Sequence, residues 1–145
     1  MRPIGFIEWP KNPEKATHLY LEFLLHTLDQ LGISFEKDKP NNPVMLIRQT
    51  LDQQHDEDQR LIALNFWWSY VDSSDGIQDF QTPDILMARL AICLLSPSPR
   101  SQNISELGEH LSWFFEVLFF LRQDVDRAIQ LMQDFFDFQP LNYGI

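Results

Sequence analysis

LIALNFWWSYV, residues 61 to 71, is an uncharged run of eleven residues bracketed by acids, HDED at 55 to 58 and DSSDGIQDFQTPD at 72 to 84. Its apolar positions fit two patterns. Ile62, Leu64, Phe66, Trp68 and Tyr70 alternate as a half-buried strand would, while Leu61, Leu64, Trp68 and Val71 recur at helical spacing. No partner strand is evident elsewhere, and Asp56 can cap a helix that begins near Glu57, so a helix is the expectation. Ile62, Phe66 and Tyr70 fall away from the first stripe, which makes the helix apolar nearly all round. Such a helix belongs in the middle of a core. The run therefore predicts a central apolar helix near 57 to 72.

Outward from this run, the punctuation is helical. Asn12-Pro13-Glu14 combines an N-cap residue, a proline suited to the first turn and an acid that complements the helix dipole. Leu21, Leu24, Leu28 and Leu31 then form a stripe that Tyr20 and Leu25 widen, and Gly32 stands where a left-handed C-cap is expected. This predicts a helix over 13 to 31. Asn42-Pro43 and Thr82-Pro83-Asp84 repeat the start signal, the first for a short helix through Ile47 and Leu51, the second for Ile85 to Leu95. PSPRSQN at 97 to 103 breaks the pattern and can serve as a flexible connection. Beyond it, Ile104, Leu107, Leu111, Phe114, Leu118 and Leu121 mark another helix, and a last one runs from about Asp124 to Phe138 until Pro140 stops it. The sum is an all-α, single-domain bundle of about six helices over residues 1 to 145.

Composition narrows the function classes. A chain of 145 residues with 44% hydrophobic and 22% charged residues has the material for one buried core. No run approaches the roughly 20 apolar residues that cross a bilayer. The N-terminal MRPIGFIEWPK lacks an apolar signal core, so a cytoplasmic location is expected. The single cysteine, Cys93, lies within ILMARLAICLL and reads as a buried structural thiol. The net charge of −10 is unevenly placed: residues 52 to 84 carry eight acids against Arg60, whereas residues 1 to 51 balance six against six. A field of that sign repels phosphate backbones and anionic membranes and attracts basic proteins. The expected partner is thus a basic protein, with no direct nucleic-acid or membrane binding.

No pattern of residues points to catalysis. Only five glycines are present and none forms a phosphate-cradling loop; no serine sits in a nucleophile elbow. His18, Glu22 and His26 share a helix face that also holds Lys15 and Asp29, which reads as a solvated face rather than a metal site. DSSDG at 72 to 76 lacks two essential positions of a calcium loop when Gly76 is aligned to the sixth place. The expectation is a non-enzymatic protein without cofactor or metal. Its candidate contact residues are the acids Asp56, Glu57, Asp58, Asp72, Asp75 and Asp79. Trp113 and Phe120 join them because they project from the main stripe of their helix among carboxylates that include Glu116. The same two aromatics also suit a helix sandwiched between two layers.

In size, charge and helical content over its whole length, the chain resembles the immunity proteins that protect bacteria against contact-dependent inhibition and other polymorphic toxins. No family motif aligns, so the resemblance carries over no residues. It implies an acidic inhibitor that covers the basic surface of a nuclease-type toxin. The alternative is a small acidic adaptor or secretion chaperone that captures an apolar segment of another protein. Salt separates them, because association through carboxylates weakens with ionic strength and apolar capture does not.

Overall fold

The computed structural model describes residues 9–35, 41–73, 82–98 and 104–136. Within them are six α-helices and no strand: α1 (Pro13–Leu31), α2 (Pro43–Leu51), α3 (Glu57–Ser73), α4 (Pro83–Leu95), α5 (Leu107–Phe120) and α6 (Val125–Phe135), with a short 3-10 turn, Ile104–Glu106, leading into α5. The ambiguous run at 61–71 is helical, as expected. Most of the connection at 97 to 103, and the expected end of the last helix, lie outside the described residues.

Helix starts follow the cap chemistry. The Asn12 side-chain oxygen accepts from Lys15 N at 3.0 Å, Asn42 from Val44 N at 2.9 Å, Asp56 from Gln59 N at 3.1 Å and Asp124 from Arg127 N at 3.0 Å. Each bond satisfies an amide that the first helical turn leaves without a partner. The ends of α1, α2 and α5 share one device: a residue in the left-handed region whose amide, with the next one, turns back onto the last carbonyls. Gly32 (φ 70°) serves α1, while Gln53 (φ 61°) and Arg122 (φ 60°) do so for α2 and α5 without a glycine's freedom.

Burial overturns the expected centre of the bundle. α4, not α3, is the hub: ten of its thirteen residues are buried, and it packs against α2, α3 and α5. One side of α4 supplies Leu90, Cys93 and Leu94 to the main core, which Tyr20, Phe23, Leu24 and Leu28 of α1 build with Leu111, Phe114 and Leu118 of α5 and Met132 of α6. Another side supplies Ala88 and Ile92 to a smaller cluster with Val71 of α3. α3 lies on the outside of that cluster and buries only Ala63 and Val71. Leu61 is 43% exposed, Ile62 55%, Phe66 45%, Trp68 40% and Tyr70 37%.

The physical reason lies in the polar residues of the two helices. After Asp84, Arg89 is the one charge of α4. α3 carries Asp58, Asn65, Ser69 and Asp72 on a single side, and burying them would strip water from two carboxylates. With two apolar helices competing for the interior, the one without that polar stripe takes it.

Candidate partner-binding face

Asp58, Asn65 and Asp72 stand seven residues apart along α3, and all three are exposed. A seven-residue step drifts only about 20° around a helix, so they form one file about 21 Å long. Leu61 and Trp68 flank the file on one side; Ile62, Phe66 and Tyr70 flank it on the other.

Neighbouring tryptophans divide the work of seating this helix. Trp67 turns inward, donates its indole N–H to the Asn41 carbonyl at 2.9 Å and meets the ring of Phe35 at a centroid distance of 6.1 Å. Trp68, one residue and about 100° further round, turns outward and stacks on Trp113 of α5, with centroids 6.5 Å apart and planes at 30°. That stack joins two groups of residues that the sequence offered separately. From Trp113, Glu109 lies four residues back, Glu116 three on and Phe120 seven on, which are spacings that share a helix side. Glu109 and Glu116 are exposed, and Trp113 and Phe120 are half-buried. Phe119, beside Phe120 with ring centroids 5.6 Å apart, is 66% exposed.

The acids predicted as contacts do not act alike. Asp58 and Asp72 are exposed and carry no ion pair or hydrogen bond among the described residues. Asp56 is exposed and spends one oxygen on capping α3. Glu57 is half-buried and engaged within the fold: it accepts from Arg60 Nε at 2.5 Å, from His55 Nε2 at 3.1 Å and from the Ser98 hydroxyl at 3.4 Å. Arg60 completes the clasp by donating from Nη1 to the Leu95 carbonyl at 2.6 Å, and so ties the start of α3 to the end of α4. The Arg60 hydrogen bonds hold the Glu57 carboxyl below its ordinary value against the opposing effect of partial burial. Asp75 and Asp79 lie outside the described residues.

Elsewhere, the groups with chemical potential are enclosed or dispersed. Burial pushes the Cys93 thiol far up, which disfavours its thiolate. Burial also lowers His110, although Glu106 and Glu109 oppose the shift. His26 lies against Phe135 at 5.8 Å, and among the described residues no group of three His, Cys, Asp or Glu side chains is placed to hold a metal ion. No helix among them is long and apolar enough to cross a membrane.

Of the residues expected as contacts, Asp58, Asp72 and Glu116 are exposed and Trp113 is half-buried, while Leu61, Ile62, Phe66 and Trp68, expected in the core, are exposed beside them. The signal that finds them is the seven-residue spacing of Asp58, Asn65 and Asp72, since a polar file running the length of an apolar helix marks its outer side. No family model, curated protein or solved structure matches this chain.

Proposed function

We propose that the chain is a non-enzymatic inhibitor that binds a basic protein partner through the α3–α5 face, in the role of an immunity protein for a nuclease-type toxin. The observation that supports this reading is the Trp68–Trp113 stack, which sets the exposed Trp68 of α3 against the half-buried Trp113 of α5, among exposed carboxylates of both helices. Aromatic side chains at the middle of a contact supply most of its energy and slow its dissociation. A rim of one charge sign steers an oppositely charged partner and rejects others. Nucleases engage phosphates and are correspondingly basic, so Asp58, Asp72, Glu109 and Glu116 present the charge their surfaces attract. Five large apolar side chains exposed along one helix form a patch of the kind that monomeric surfaces seldom leave bare.

The test is protection of growth. A neighbouring gene is expected to encode a toxin with a basic C-terminal domain, and that domain is to be expressed with the wild-type protein or with a D58K/D72K/W68A variant. The variant loses protection, while Glu22→Lys, on the exposed side of α1, retains it. Equal protection by the triple variant overturns the proposed face. The flank of Ile62, Phe66 and Tyr70 also favours a second reading, an adaptor that captures an apolar segment. Under that reading, association persists unchanged as salt rises; an acid-steered contact weakens.

A further inference from the structure

We infer that the element a partner lays on this face is an α-helix, with basic residues spaced so that they meet Asp58 and Asp72 together. The inference rests on the reading of α3 as a partner-binding helix, and goes beyond it in naming what the helix binds.

The exposed side of α3 repeats every seven residues in three files: Asp58–Asn65–Asp72, Leu61–Trp68 and Ile62–Ser69. The aspartate file runs nearly parallel to the axis over two heptads, with the other two beside it over one heptad each, and makes a straight track that a straight element of similar length can follow. A helix and a strand are the two straight elements available. A strand laid on α3 would turn its amides and carbonyls toward a helix whose own backbone groups are already bonded within it, and would leave them without partners as water is expelled. A helix brings its backbone already satisfied and offers only side chains.

Charge then selects the kind of helix. A second copy of this chain does not fit: laid antiparallel, its Asp72 would meet Asp58, and laid parallel, each aspartate would meet its own equivalent. Either pairing places like charges together during desolvation, between chains that each carry −10. A Lys or Arg at each end of a two-heptad span meets Asp58 and Asp72 about 21 Å apart. Between them, Asn65 and Ser69 accept polar side chains, while Leu61 and Trp68 on one flank and Ile62 and Phe66 on the other accept an apolar stripe beside the lysines.

The experiment uses the full chain and three synthetic peptides of about 20 residues, enough to span two heptads. One is a helix-forming peptide with lysines two heptads apart beside an apolar stripe. The second has the same composition with those lysines moved to opposite sides. The third is the first sequence with two central prolines. Binding is followed by tryptophan fluorescence at low and high salt, with self-association monitored by sedimentation. The in-register helix binds at least tenfold tighter than either control, gains helical circular dichroism on binding, and loses that advantage against D58K/D72K. If the controls bind as tightly as the first peptide, the helical occupant is overturned, while the attraction to basic partners stands. If no peptide binds, the inference and the partner-binding reading of α3 both fall. A dimer abolished by Trp68→Ala overturns the inference in favour of a second copy.

Discussion

Ile62 of α3 and Ile92 of α4 are the same side chain in two helices that pack on each other, yet Ile62 is 55% exposed and Ile92 is fully buried. Truncating each to alanine isolates the effect of position, because the gain in helix propensity is the same in both cases and cancels in the comparison. Ile92 sits with Ala88 and Val71 in the small cluster between α3 and α4. Leu64, Trp67 and Trp113 pack against that cluster, and with Trp67 tethered to the Asn41 carbonyl and Trp113 stacked on Trp68 the vacated space closes only in part. The cost of Ile92→Ala should fall in the middle of the core range, about 3 to 4 kcal/mol. At Ile62 less than half of the side chain leaves water on folding and no closed cavity results. Ile62→Ala should cost about 0.5 kcal/mol, partly offset by alanine's better helix propensity. Against a total stability of about 5 to 15 kcal/mol, the first change removes a large fraction and the second is barely resolved. Urea unfolding of both variants, followed by circular dichroism at common slope, measures the difference directly. A loss at Ile62 equal to that at Ile92 would refute the placement of α3 outside α4, and with it the exposed face.

Four further outcomes follow from particular contacts. The Glu57 carboxyl is depressed in the folded protein, so the stability it contributes is present above its ordinary value of 4.5 and is lost as pH falls through the folded value. Glu57→Gln should therefore flatten the acid limb of a stability-against-pH curve below about pH 4.5, and an unchanged limb would contradict the clasp. Among the described residues the buried Tyr20 hydroxyl has no hydrogen-bond partner, so Tyr20→Phe should raise stability by about 1 kcal/mol in urea melts, and a loss of that size would show that the hydroxyl is satisfied. Arg122 holds φ at 60° in the turn between α5 and α6; Arg122→Gly should stabilise by about 1 kcal/mol, measured as a higher Tm, and a lower Tm would refute the argument from strain. Trp67→Phe removes the indole donor to Asn41. It should increase amide exchange across α3 and weaken partner binding severalfold with Trp68 intact; unaltered exchange would count against Trp67 as the anchor.

Where the chain turns was legible in the sequence; which way each helix faces was only partly so. Asn12-Pro13 and Asn42-Pro43 fix two helix starts by a first-turn proline and a capping side-chain oxygen before it, and Pro83 marks a third without a side-chain cap, all within a few residues. Gly32 fixes an end in the same way. The rank of α3 and α4 in the core is not local. Both are apolar on several sides, and the interior has room for one such helix, so the outcome depends on comparing their polar residues across the fold. That comparison was available in Asp58, Asn65 and Asp72 against Arg89, but a periodicity argument that asks only where apolar residues recur does not make it. The role of Glu57 was hidden for a related reason: its partners include Ser98, far along the chain, and Arg60 reaches Leu95.

Trp67 and Trp68 show why the outward face of α3 is a fixed surface rather than a loose apolar helix. A helix held only by Ala63 and Val71 could roll on α4, since small side chains make shallow contacts that tolerate rotation. The indole of Trp67 removes that freedom, because its bond to the Asn41 carbonyl and its packing on Phe35 are met at one rotation about the α3 axis. At the other end of the lever, the Arg60 clasp pins the first turn to the end of α4. With both fixed, Trp68 is delivered to Trp113, and Asp58 and Asp72 are held outward in one file before any partner arrives. Ordering a flexible helix during association would subtract from affinity, whereas a file of carboxylates already in register leaves that energy in the contact.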